Sequence, residues 1–101
     1  MDSALYTWGG LYFGKREGDS LVTFTGVEAG RFHGDEVYGP DGAYLGELRS
    51  GKLITDRSKS TRRKEPFTPR PNRVGHVGYV GHVGTVMLAG FEDFPSPATF
   101  Q

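Results

Sequence analysis

The chain has 101 residues, with twelve basic and twelve acidic side chains and a net charge of zero at neutral pH. That length suits one domain with one modest core. The absence of cysteine excludes disulfides and thiolate metal sites, and the longest apolar run, Val86 to Ala89, is far short of the ~20 residues a membrane span needs. The opening "MDSALYTWGG" has neither a basic n-region nor an apolar h-region, so the expectation is a soluble cytoplasmic domain spanning residues 1–101.

In chain order, the first element is "LYTWGGLYFGKREGDS", residues 5–20, followed without a gap by "LVTFTGVEAGRFHGDE", residues 21–36, and "VYGPDGAYLGELRSGK", residues 37–52. These are three copies of one sixteen-residue unit, and Leu53 opens a fourth with "LIT". The first position reads Leu5, Leu21, Val37 and Leu53; the sixth is Gly10, Gly26 and Gly42; the tenth is Gly14, Gly30 and Gly46. Such self-similarity has to be read before anything else, because it sets the fold.

Each unit has the text of a β-hairpin. An apolar strand ("LYTW", "LVTF", "VYG") enters a turn at "GG", "TG" or "PDG" and returns as "LYFGKR", "VEAGRF" or "AYLGELR". A further glycine turn ends each unit, as "EGD", "HGD" and "SGK". The mid-strand glycines need another reason, since glycine weakens a strand interior. Their recurrence implies a bulge or the close approach of another backbone. Phe13, Ala29 and Leu45 beside them would fill the centre of a ring of converging hairpins.

After Asp56 the pattern stops at a basic stretch, "RSKSTRRKEPFTPRPNR", residues 57–73. Beyond it, "VGHVGYVGHVG" (Val74 to Gly84) carries glycine at every third position. Tyr79-x-Gly81 matches Tyr12-x-Gly14 and Tyr44-x-Gly46, and Val80 takes the place of Phe13, Ala29 and Leu45. The fourth repeat is therefore expected as residues 53–56 plus about 76–90, with about 57–75 inserted and Gly81 as the fourth structural glycine. The repeat offers no reason for the spacing through Gly75 and Gly78. The run has neither the lysine of a phosphate loop nor G-x-G-x-x-G after a strand, so packing is its preferred reading.

Four tandem hairpin units with "VYGPDGAYLGELRSGKLI" as the recurring text resemble the four-fold β-flower domain, a bacterial family of hairpin repeats. The resemblance implies an all-β fold, with four β-hairpin repeats as petals around a pseudo-fourfold axis and the last petal interrupted by the basic insertion. It implies no catalytic residue set.

Candidate chemistry is sparse. His33, His76 and His82 have no cysteine and no neighbouring carboxylate set to complete a metal site, so neither metal nor cofactor is expected. Asp19 and Asp35 recur as turn residues, and no serine has nucleophile-elbow text around it. Charge is more informative. Residues 1–56 hold five basic and nine acidic side chains, 57–73 seven and one, and 74–101 none and two. Arg57, Lys59, Arg62, Arg63, Lys64, Arg70 and Arg73 thus make one concentrated candidate partner-binding site. It would either grip a phosphate backbone or lie across the acidic hairpins. Phe67 is the only aromatic residue in it, a poor platform for stacking single strands. Arg63-x-x-Pro66-x-x-Pro69 also matches a polyproline II ligand, though a stiffened linker accounts for the prolines equally well.

The leading expectation is a non-enzymatic structural or interaction module. Its partner would be another protein or a second copy, met through the aromatic tail at Phe91, Phe94 and Phe100. A nucleic-acid-associated module is the alternative, and an enzyme comes third.

Overall fold

The computed structural model describes residues 3–75, 81, 84 and 86–100. Among them the chain forms strands β1 (Ser3–Thr7), β2 (Tyr12–Glu17), β3 (Ser20–Thr23), β4 (Glu28–His33), β5 (Glu36–Tyr38), β6 (Tyr44–Arg49), β7 (Lys52–Asp56) and β8 (Phe91–Asp93). Two short 3-10 turns, Arg57–Lys59 and Pro97–Phe100, complete the described elements, and no α-helix occurs. Hence no helix there is long and apolar enough to cross a membrane. Each strand pairs antiparallel with the next. In addition β1 pairs parallel with β7, Tyr6 opposite Lys52 and Thr7 opposite Leu53, which closes the first seven strands into a barrel-like sheet.

The sixteen-residue repeat is visible in the hydrogen bonding. Leu5 lies opposite Gly14, Leu21 opposite Gly30 and Val37 opposite Gly46, and a register shift follows each of the three apolar residues. The loops between the paired strands are closed alike, by Thr7 N–H to Leu11 O, Thr23 N–H to Val27 O and Gly39 N–H to Ala43 O, each 2.8 Å. Gly10, Gly26 and Gly42 sit in these loops at φ of 93°, 94° and 87°, a region that glycine enters without steric cost. Neighbouring hairpins are stitched together with the same period, Phe32 N–H to Asp19 O and Leu48 N–H to Asp35 O.

The core follows from this register. Leu5, Leu21, Val37 and Leu53 are buried with Phe13, Ala29 and Phe32, and Leu45 and Leu48 pack against them. The mid-strand glycines are where the hairpins crowd one another. A Cβ on Gly14 would strike the carbonyl oxygen of Val22, one on Gly30 would lie 2.6 Å from that of Tyr38, and one on Gly46 2.5 Å from that of Ile54.

The fourth unit differs from the expectation. The partner of β7 is β8, with Ile54 opposite Asp93, Thr55 opposite Glu92 and Asp56 opposite Phe91, and not the segment around Gly81. Continuing that register one step sets Phe94 opposite Leu53, where the first three units have glycine. Phe94 is 3% exposed and meets the Phe13 ring edge-on at 5.3 Å. Phe100, half-buried, meets the same ring at 5.8 Å. Three glycines leave the centre of the sheet short of side-chain volume, and these tail aromatics supply it. Gly81 lies against Gly10 in the first loop instead, and Tyr79 and Val80 fall outside the described residues. Phe94 and Phe100 thus pack into the molecule's own core, while Phe91 is half-buried with the Arg49 guanidinium 5.3 Å above its ring. Phe94→Leu should cost about 1–1.5 kcal/mol in a urea melt. An unchanged midpoint would mean that the tail is not part of the core.

Candidate functional site: a basic strap across the sheet

The stretch after β7 forms a strap over the loops of the sheet. Asp56 starts it by accepting hydrogen bonds from the Ser58 N–H (3.0 Å) and hydroxyl (2.7 Å), which caps the first short turn. The chain then crosses the β5–β6 loop and the β3–β4 loop in that order, the reverse of their order in sequence. Its backbone donors turn inward with a period of three: Lys64 N–H to Gly42 O (2.9 Å), Phe67 N–H to Pro40 O (2.9 Å), Arg70 N–H to the Glu28 carboxylate (2.7 Å) and Arg73 N–H to Gly26 O (2.8 Å). An extended chain with three residues per turn has the period of polyproline II.

The glycines that the hairpin repeat left unexplained also lie against the loops. A Cβ on Gly75 would come within 2.8 Å of Thr25 O, one on Gly81 within 2.5 Å of Gly10 O and one on Gly84 within 2.7 Å of Gly9 O. At these glycines strap and loops touch backbone to backbone, with no room for a side chain, and they continue the register of residues 66, 69 and 72 rather than that of the donors. Gly78 falls outside the described residues.

Two polar clusters fasten the strap. In the first, the Lys59 ammonium lies between Glu47 (2.7 Å) and Glu36 (3.0 Å), and Arg62 adds a bond to Glu36 at 2.8 Å. Tyr38 donates its hydroxyl hydrogen to Glu36 and Tyr44 donates to Glu47, at 2.8 and 2.9 Å. Burial works to raise the Glu36 carboxyl, but the Tyr38 and Lys59 bonds and the nearby cations hold it below its ordinary value. Lys59 is raised, chiefly by its bonds to Glu47 and Glu36.

The second cluster is more deeply placed. The Glu28 side chain is fully buried and accepts from Ser20 Oγ (2.6 Å), Arg31 Nε (2.9 Å) and the Arg70 backbone. Burial alone would raise this carboxyl, but the bonds from Arg31, Ser20 and Arg70 more than offset it and leave it lowered to about 2. Arg31 in turn lies 4.0 Å from the centre of the Phe67 ring, so strap and sheet also stack. Arg73 Nε closes the series on Glu17 at 2.9 Å.

The seven candidate cations therefore do not form one outward patch. Lys59, Arg62, Arg70 and Arg73 pair inward, while Arg57, Arg63 and Lys64 make no ion pair among the described residues. Lys64 lies 5.7 Å from the Tyr38 ring centre. Pairs as exposed as those of Arg62 and Arg70, whose side chains are 55% and 53% accessible, each contribute under ~1 kcal/mol. Glu28, which sequence reasoning missed, matters more because it is buried. Its signal was available: the eighth position of the repeat reads Tyr12, Glu28, Tyr44, and the odd residue is the one that holds the strap.

Other chemistry is thin. His33 is exposed, edge-on to Tyr38 at 5.4 Å, and His76 and His82 fall outside the described residues. Among the described residues no group of three or more histidine, aspartate or glutamate side chains could hold a metal. An open cleft of about 410 Å³ beside Tyr44, Thr55 and Asp93 offers no free carboxylate from Asp93. Its oxygens accept from Thr7 Oγ1, Gly9 N–H and Phe94 N–H. No family model, curated protein or solved structure matches this chain.

Proposed function

We propose that this chain is a non-enzymatic interaction or structural module: a four-fold β-flower of hairpin units around a pseudo-fourfold axis, whose last petal borrows its second strand from the tail. The sixteen-residue period of the loop bonds and the shared Leu5–Gly14, Leu21–Gly30 and Val37–Gly46 pairing support that architecture. The observation that carries the functional reading is the direction of the strap's charges. Four of its seven cations face carboxylates of the same chain, which leaves little for a phosphate backbone. In this reading the partner is a protein, met on the strap side of the molecule.

The exposed trio Arg57, Arg63 and Lys64 favours the second reading, a nucleic-acid-associated module. Three cations would release few counterions, and affinity would fall with salt at a slope near −0.9 per contact, about −3 in all. Fluorescence anisotropy with labelled random duplex and single strands at about 0.15 M salt should show no binding. Tight binding that vanishes when Arg57, Arg63 and Lys64 are all changed to glutamine would replace the first reading with the second.

A further inference from the structure

We infer that the outer side of the strap is a polyproline II ligand, presented ready-made to a protein domain with an aromatic-lined groove and an acidic pocket at one end. The inference rests on the interaction-module reading and names the kind of partner it would have. Its starting point is the three-residue period. Residues 64, 67, 70 and 73 supply the backbone donors bound to the sheet, so they form one ridge of a three-sided helix. The other two ridges carry Arg63, Pro66 and Pro69 on one side and Glu65, Thr68 and Pro71 on the other, and all six residues are exposed. Prolines lack the N–H that the inward ridge needs, and none of them stands on it. One side of the helix is therefore held by the sheet, and the two sides that a groove would grip are exposed, with the Thr68 carbonyl oxygen accepting from Arg31 at 3.4 Å and Pro69 bordering a cleft beside Pro40 and Glu28.

Arg63 fits the same purpose. It stands three residues before Pro66 and six before Pro69, on their ridge, and makes no ion pair among the described residues, unlike Lys59, Arg62, Arg70 and Arg73. Its backbone is nonetheless fixed, through a bridge to Ala43. A guanidinium with a fixed base and no carboxylate of its own is set to meet one on a partner. Pinning the ridge beneath lowers the ordering cost that a free proline-rich peptide meets on binding.

The test uses the whole protein as ligand. The probe is a panel of purified SH3 domains of the type that takes an arginine ahead of two prolines, titrated by calorimetry. The expected result is binding that weakens about tenfold or more in Arg63→Ala and in the double variant Pro66→Ala/Pro69→Ala. Arg57→Ala should leave it unchanged, and the exposed sites should leave the thermal melt unchanged. A synthetic peptide of residues 60–73 should bind no more tightly than the whole protein. The inference falls if no domain binds, or if only the free peptide binds, because the sheet then blocks the ligand. It also falls if binding survives loss of the prolines and tracks salt alone, which would mark a merely cationic contact. None of these outcomes decides the nucleic-acid titration, so the two readings fail separately.

Discussion

Replacing Gly46 with valine should lower the unfolding free energy by about 3–5 kcal/mol, much of the roughly 5–10 kcal/mol expected for a domain of this size. The first added carbon would lie 2.5 Å from the Ile54 carbonyl oxygen and 2.5 Å from the Phe94 ring. Neither can retreat easily. Ile54 is fully buried in β7, which is paired with β6, β8 and β1, and Phe94 fills the centre. Gly51→Ala is the matched control. It has nothing within 4 Å of the new carbon but holds φ at 75°, so it should cost only the left-handed penalty of about 1–2 kcal/mol. Urea melts compare the two directly. If Gly46→Val unfolds at the parent's midpoint, the hairpins do not crowd together as described.

Glu28→Gln should cost about 3 kcal/mol at neutral pH, because it leaves Arg31 and the Arg70 strand of the strap without their buried anion. The same group should dominate acid unfolding. Its carboxyl is lowered from 4.5 to about 2 in the folded protein, so its stabilisation is fully present above pH 4.5 and is lost as pH falls toward 2. The difference corresponds to roughly 3 kcal/mol. Glu36 acts in the same direction, and raised Lys59 acts oppositely, losing its contribution only as pH climbs past the ordinary lysine value. Urea midpoints at pH 7, 4 and 2 should fall steeply for the parent and less so for Glu28→Gln. Parallel curves for the two proteins would remove Glu28 from this role.

The hairpins were legible because their cause is local. Gly10, Gly26 and Gly42 supply a backbone angle, and Leu5, Leu21 and Val37 supply one buried side chain each, so the text repeats wherever the structure does. The fourth unit broke the text because its requirement is volume and not shape. Phe94 does by bulk, from a tail segment, what no repeated glycine could indicate. The strap was half legible. Its charge was plain, and so was the three-residue glycine spacing. What could not be read was the surface it faces, since its backbone passes over Gly26 and Gly42, whose positive φ was already reason enough for glycine. Glu28 is the exception, a repeat position given over to the strap.

The pairing of β7 with the tail strand bears on the order in which the molecule assembles. Three hairpins can form from neighbouring residues soon after they are synthesised, and such short-range contacts are the fast ones. The β1–β7 pairing closes the sheet, and the bonds that then tie its β1 end to the tail, Thr7 to Asp93 and Trp8 to Val86, span 86 and 78 residues. Until residues 91–94 arrive, the far half of β7 has an open edge and the centre lacks Phe94. That interval is when the nascent protein is exposed to strand exchange with another copy, because a second tail fits the same edge as well as its own. Residues 91–94 thus act as a latch that closes after the hairpins, and the protection of the far half of β7 depends on them.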